Sequence, residues 1–402
     1  MGPLEGIRVI DLSTVLMGPY CAQTLGEYGA DVIKVEPPAG DLIRDLSPER
    51  HKGMGAVFLN ANRGKRSVAI DLKTPDGQAV MRGLIESADV FLSNVRPRAL
   101  ARLGLDPESL CAGNDQLVYA SLVGYGQQGA YAARPAYDDL IQGGSGFSHL
   151  MAIGGDGTPR YAPNAMADRV VGQAAVGAIL AALVARGRTG QGQHLEVPMF
   201  ETMTHFVLSD HLGGLTFEPP VGEPGYARHL SPDRRPYQTS DGYLCALVYN
   251  DKQWQSFVQA VGQPELLTQF PYLQRFETRA ENIDAVNEML SRLFLTRTTA
   301  QWIELLEAAD IPYMTMHTLH SVIDDPHLES VGFFEQVEHP TEGLLRQMRV
   351  PVTWQRTPAE LPRHAPRLGE HTREVLREIG LADSRIDALH EAAVVCSAPD
   401  QP

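Results

Sequence analysis

Ile7-Arg-Val-Ile-Asp-Leu12 and Asp31-Val-Ile-Lys-Val-Glu36 decide how this chain folds. The first is a short apolar strand and the second reads as a strand too, and the segment between them, Pro19 to Tyr28, reads as a helix, so the chain opens as β-α-β. The alternation continues downstream. Thr74-Pro75 reads as a helix start, a capping residue before a proline at the first helical position. That helix leads to a strand at Val90-Phe-Leu92, and a further strand, Leu117 to Val123, ends at Gly124. Strands alternating with helices build a parallel, doubly wound sheet, a Rossmann-like α/β architecture.

After Phe217 the pattern changes. Glu218-Pro-Pro-Val-Gly-Glu-Pro-Gly225 reads as a connector. Beyond it come a turn and strand, Thr239 to Val248, and amphipathic helices around Gln253–Val261, Ile283–Leu295 and Ala300–Ala309, which together suit a smaller α+β domain. A chain of 402 residues is expected to hold two domains. We therefore divide it into a large α/β domain over 1–217, a small domain with its connectors over 218–332, and a C-terminal segment over 333–402. That segment carries a helix, Glu370–Ile379, closed by Gly380, and its end, Cys396 to Pro402, is expected to fray.

The chain is 43% hydrophobic and 21% charged, as globular proteins are, and its formal net charge of −15 argues against a nucleic-acid-binding surface. Cys21, Cys111, Cys245 and Cys396 are far apart, with neither metal-ligand spacing nor a disulfide framework, which points to a reducing compartment. Met1-Gly-Pro-Leu-Glu-Gly6 has no basic or apolar part of a secretory signal. A cytoplasmic protein without a membrane partner is expected.

Asn164-Ala-Met-Ala-Asp168 heads a helix that has no polar side chain from Ala174 to Ala185 and stops at Arg186-Gly-Arg-Thr-Gly-Gln-Gly-Gln193. The apolar run is shorter than the roughly 18 residues of a membrane span and reads as a buried helix. A carboxylate at the positive end of such a helix is ionised, fixed and partly desolvated, which suits a nucleophile. The same place suits an N-cap, and the local pattern leaves both readings open.

Gly124-Tyr-Gly-Gln-Gln-Gly129 matches the G-x-G-x-x-G string of nicotinamide-dependent oxidoreductases. However, Ala-Tyr-Ala-Ala-Arg-Pro135 follows it in place of a helix, and the first β-α turn holds only Gly18-Pro19. The string reads as a loop near a ligand. Two basic islands, Asn62-Arg-Gly-Lys-Arg66 and Asn94-Val-Arg-Pro-Arg98 with Arg102, suit a phosphorylated ligand, against the competing reading of solvated surface. No P-loop, H-E-x-x-H motif or nucleophile elbow occurs, and the 13 histidines are scattered.

In order along the chain stand Leu4-Glu-Gly-Ile-Arg-Val-Ile-Asp-Leu12, Gly29-Ala-Asp-Val-Ile-Lys-Val-Glu-Pro37, Asn62-Arg-Gly-Lys-Arg-Ser67 and Asn94-Val-Arg-Pro97. Gly124-Tyr-Gly126, Arg134-Pro-Ala-Tyr-Asp138, the Asp168 helix, Asp325-Pro-His-Leu328 and Pro366-Arg-Leu-Gly-Glu-His-Thr372 follow. With these motifs the chain resembles the class III CoA-transferases, the group of formyl-CoA transferase and carnitine CoA-transferase, over nearly its whole length. The resemblance implies an acyl-CoA:carboxylate CoA-transferase with Asp168 as nucleophile, working through aspartyl anhydrides and an aspartyl-CoA thioester. Coenzyme A is then a substrate, and no fixed cofactor or metal is expected. The resemblance places CoA on the large domain, where Arg44, Arg63, Lys65, Arg66, Asn94, Arg96 and Arg102 are candidate contacts and Tyr125 is a candidate for the pantetheine path. It also implies an interlocked homodimer whose large domains combine N- and C-terminal segments, so that the Glu370–Ile379 helix returns to the first domain.

Two departures narrow the substrate. Leu16 stands where the formyl-CoA members carry glutamine, and His229-Leu-Ser-Pro-Asp-Arg-Arg-Pro-Tyr237 lacks their run of glycines, so formyl-CoA and oxalate are not expected. Arg234 and Arg235 become candidates for an acceptor carboxylate. The α-methylacyl-CoA racemases share the fold and pair the aspartate with a histidine where this chain has Tyr137. A phenol with a pKa near 10 is a poor α-proton shuttle, which ranks that reading second. A catalytically silent CoA-binding homologue is a third.

Overall fold

Six parallel strands, β1 (Arg8–Leu12), β2 (Asp31–Glu36), β3 (Arg66–Ile70), β4 (Val90–Ser93), β5 (Val118–Val123) and β6 (Gln193–Pro198), form one sheet in the order β3-β2-β1-β4-β5-β6. Their details come from a computed structural model that describes residues 2–359, 361 and 363–398. β1 pairs with β2 on one side and with β4 on the other, so the winding reverses between β1 and β4. The inner strands are almost wholly buried, as expected where helices cover both faces of a sheet. The helix Pro75–Glu86 starts as its sequence predicts, with Thr74 Oγ1 accepting the Gly77 N–H at 3.0 Å.

A seventh strand, Val395–Cys396, pairs antiparallel with β3, and Thr372 Oγ1 donates to the Cys396 carbonyl at 2.7 Å. Cys396 is therefore sheet rather than frayed end. The rest of that expectation, from 399 to 402, lies outside the described residues.

The chain forms two compact units. The first takes the described residues of 1–145, 163–204 and 330–402. Ile10, Ile33, Val68 and Phe91 of the sheet share one core with Val375 and Leu376 of the C-terminal helix Thr372–Glu378. The second unit takes 146–162 and 205–329. Strands Tyr237–Gln238, Tyr243–Ala246 and Tyr313–Thr315 form its antiparallel sheet. Its core holds Trp254, Phe257, Phe294 and Trp302, contributed by the helices Asp251–Ala260, Ile283–Phe294 and Thr299–Ala308. The division differs from the one read in the sequence. It falls inside the continuous helix Met199–His211, where composition does not change, and the proline-rich connector after Phe217 is a loop within the second unit.

Candidate active site

At a point where a doubly wound sheet reverses its winding, the loops leaving two neighbouring strands diverge and open a crevice. Here those loops follow β1 and β4. The loop after β1 turns sharply. Val15 has φ 67°, a left-handed conformation that costs a β-branched residue about 1–3 kcal/mol, and its N–H is held by Asp41 Oδ1 at 3.2 Å. Gly18 lies so close to Ser13 that a Cβ there would meet Ser13 Cβ at 2.3 Å, so only glycine fits. From the β4 loop, the Asn94 amide accepts the Thr14 N–H at 2.9 Å and donates to the Thr14 carbonyl at 2.8 Å, tying the two loops together.

Between them opens a cavity of about 640 Å3. Thr14 to Met17 line it on one side, and Asn94, Arg96, Arg98 and Arg102 on the other. The three arginines are exposed and have no ion pair or side-chain hydrogen bond among the described residues. They sit where the short helix Pro97–Arg102 begins and ends, and together they make a patch of uncompensated positive charge.

Asp168 reaches the same cavity from the helix Met166–Thr189. Ala165 occupies the cap position and Asp168 is the third helical residue, so it is not the N-cap that the local sequence allowed. Gly172 brings this helix against the helix Met17–Glu27, since a Cβ there would lie 2.8 Å from the Met17 carbonyl oxygen. Asp168 is 9% exposed, and its carboxylate has no hydrogen bond or ion pair among the described residues. Adjacent Arg169 lies instead over the Tyr20 ring, 4.5 Å from its centre. Burial first, and the charge of Asp138 second, push the Asp168 pKa up to about 7, with Arg169 opposing. The carboxyl is thus only partly ionised at neutral pH in the free protein. The helix N-terminus, which favours the anion, does not outweigh burial beside a second carboxylate.

Asp138 also holds the nucleophile candidate in place. Its Oδ1 accepts the Asp168 backbone N–H at 2.9 Å, and its Oδ2 accepts from Gln142 Nε2 at 2.5 Å. Gln142, fully buried, donates as well to the Asn164 carbonyl at 3.3 Å. Reading the sequence passed over both residues. Asp138 was visible in it only as the end of Arg134-Pro-Ala-Tyr-Asp138, and Gln142, one helical turn on, carried no signal.

The family model of CoA-transferase family III matches residues 4–372. The chain belongs to that family. Among its relatives, the succinate–glutarate CoA-transferase of Agrobacterium fabrum is 35% identical over 94% of this chain and 96% of that protein. The succinyl-CoA:L-malate CoA-transferase beta subunit of Chloroflexus aurantiacus is 32% identical over 98% of each. The crystal structure of a CAIB/BAIF family protein from Brucella suis superposes with a TM-score of 0.78 at 32% identity, over 94% of this chain and 99% of that one. The chain is thus an enzyme of the CoA-transferase class, whose substrates are CoA thioesters.

Within this family III enzyme the candidate CoA contacts divide into two sets. Asn94, Arg96 and Arg102 line the Asp168 cavity. Arg44, Arg63, Lys65 and Arg66 do not; they are interior residues tied to carboxylates, and their reading as ligand contacts is corrected. Arg44 grips Glu36 with two 2.7 Å bonds and lies over Phe58. Arg63 pairs with Glu27. Lys65 Nζ donates to Asp11, the Pro19 carbonyl and Asn62, all within 2.9 Å, which uses its three protons. Arg66 joins Asp31 to Glu374 and Glu378 of the C-terminal segment. The island Asn62–Arg66 proves to be the end of one helix and the first residue of β3, and its charges are answered by Asp11 on β1, Asp31 on β2, Glu27 on the helix Met17–Glu27 and Glu374 and Glu378 on the C-terminal helix.

Tyr125 is not among the cavity residues either; its ring packs against Tyr131 and Phe200. The glycine string around it is a pinned loop. The N–H groups of Gly126 and Gln127 are taken by the Glu201 and Glu196 carboxylates at 2.8 and 3.0 Å, so these two are not free for a pyrophosphate.

Proposed function

We propose that the enzyme transfers CoA between organic acids by covalent catalysis on Asp168. The observation that carries this reading is a buried carboxylate without a partner among the described residues, in a cavity also lined by three arginines that have none there either. The arginines suit the phosphates of CoA, and the crevice between the β1 and β4 loops suits its extended arm. Asp168 attacks the donor thioester carbonyl, the C–S bond breaks, and CoA thiolate leaves a mixed anhydride. The thiolate then attacks the aspartyl carbonyl, releasing the donor carboxylate and forming an aspartyl-CoA thioester. An acceptor carboxylate displaces the thiolate to form a second anhydride. The thiolate attacks its acyl carbonyl, freeing the new acyl-CoA and restoring Asp168. Bonds of similar energy are exchanged at each step, so the main task of the site is to keep water from the anhydrides.

The relatives' names, which pair succinate with glutarate and with malate, support C4 and C5 dicarboxylic acids as donors and acceptors. The long helix supports a homodimer. Met166–Thr189 is long and apolar enough to cross a membrane by length and composition alone, but Val171, Ala175, Ile179 and Ala182 are buried on one side and Ala174, Gly177, Ala181 and Val184 are exposed on the other. The expectation of a buried helix therefore holds for half of it, and a second copy is the cover we assign to the rest.

Intact-mass measurement after brief mixing with succinyl-CoA tests the chemistry. A gain of one CoA, less water, on the peptide containing Asp168, and none in Asp168→Ala, is the expected result. No adduct, together with deuterium exchange at the α-carbon of a branched acyl-CoA, would put the racemase in its place.

A further inference from the structure

The second unit encloses a cavity of its own, about 370 Å3, which is within the range of small-molecule sites. Trp254, Phe276 and Leu290 are among its apolar walls. Its charged lining is entirely cationic among the described residues: Arg228, Arg234, Arg235 and Arg279.

Two of these four are already engaged. Arg279 donates to the Leu273 carbonyl at 2.7 Å and pairs with Asp251, and Arg235 pairs with Asp233 at 2.8 Å. Arg234 has no side-chain hydrogen bond or ion pair among the described residues, and Arg228 has only the Tyr249 ring, 5.7 Å away. Two guanidinium charges are left without a counter-ion beside an apolar wall, in a chain of net charge −15. Their field reaches His229, whose pKa is lowered by burial first and by Arg234 next, with Arg228 adding to it against Asp210. Asn287, 8% exposed in the same lining, donates to Ser231 Oγ at 2.9 Å and has no donor to its own Oδ1 among the described residues.

We propose that this cavity binds a small organic carboxylate, with its charge on Arg228 and Arg234 and its carbon chain against Trp254, Phe276 and Leu290. Guanidinium groups meet a carboxylate with paired, charge-assisted hydrogen bonds, and the walls desolvate a carbon body that inorganic phosphate lacks. Arg235, the other candidate from the sequence, lines the cavity too but already has Asp233 as a counter-ion, which leaves Arg228 and Arg234 as the uncompensated pair among the described residues. The inference rests on the transferase reading only for the choice of acids to test.

The test uses the full-length Asp168→Ala protein, in which turnover is blocked, titrated calorimetrically with glutarate, succinate, inorganic phosphate and CoA. One dicarboxylate bound per chain is expected, weakened at least about tenfold by Arg228→Ala with Arg234→Ala while CoA affinity stays unchanged. Arg234→Gln, at an exposed position, gives the same direction of change if the double variant does not fold. Acid affinity that ignores these substitutions, no acid binding in the millimolar range, or displacement of the acid by inorganic phosphate would overturn the proposal. Turnover of the unaltered enzyme is read separately, so failure of the transferase chemistry and failure of this site give different results.

Discussion

Asp168 combines two properties that rarely coexist, a carboxylate taken out of water and, among the described residues, no partner to compensate it. The consequence is a pH-dependent cost. The folded-state pKa, about 7, lies above the unfolded value near 3.9, so the folded protein binds the extra proton between them and stability falls as pH rises from about 4 to about 7, staying low above that. Asp168→Asn removes this loss. Chemical denaturation should show little gain near pH 4 and a gain on the order of 3 kcal/mol at pH 8. Activity runs the other way, because only the anion attacks: kcat/KM for the acyl-CoA should rise through about pH 7. Asp138→Asn keeps an acceptor for the Asp168 N–H but removes a charge, and should move that rising limb to lower pH. The sequence marked Asp168 as a candidate through its place before a long apolar run. It could not separate nucleophile from cap, since that depends on whether the residue falls one step before the first turn or inside it.

At the scale of elements, the two basic islands looked alike and folded into opposite roles. Asn62–Arg66 runs from the end of a helix into β3, which lies between β2 and the short strand Val395–Cys396, and there burial forces each cation onto an acid. Asn94–Arg102 follows β4 and opens a helix at the reversal of the sheet, where its arginines have no acid partner among the described residues. Arg44→Ala, which strands Glu36 in the interior, should cost about 3–5 kcal/mol in denaturation and leave the KM for acyl-CoA of the folded enzyme unchanged. Arg96→Ala should change stability by no more than about 0.5 kcal/mol and raise that KM about tenfold. The reverse pattern in these two variants would return Arg44 to the site. The strands and helices were legible because their periodicity and caps are local. The fate of a charge was not, because Asp11 and Glu27 are distant in sequence from Lys65 and Arg63, the cations they neutralise.

For the whole molecule, the exposed side of Met166–Thr189 carries the oligomeric expectation. Light scattering should give twice the chain mass of 44.0 kDa, and Gly177→Arg, which meets open space within the chain, should shift the enzyme toward monomer without lowering its secondary structure. A monomer before the substitution would remove the assigned cover. What the sequence by itself determined was the alternation of elements, the family, and the short list of residues able to do the chemistry, because hydrophobic period, capping and motif order are written along the chain. Only the tertiary structure decided which of those residues meet. It set the reversal between β1 and β4, brought the C-terminal helix into the first core, and left Arg96, Arg98 and Arg102 free while it locked Arg44 and Lys65 inside. Burial and pairing depend on neighbours far along the chain, and a charge becomes a binding group or a structural one only when folding settles what stands beside it.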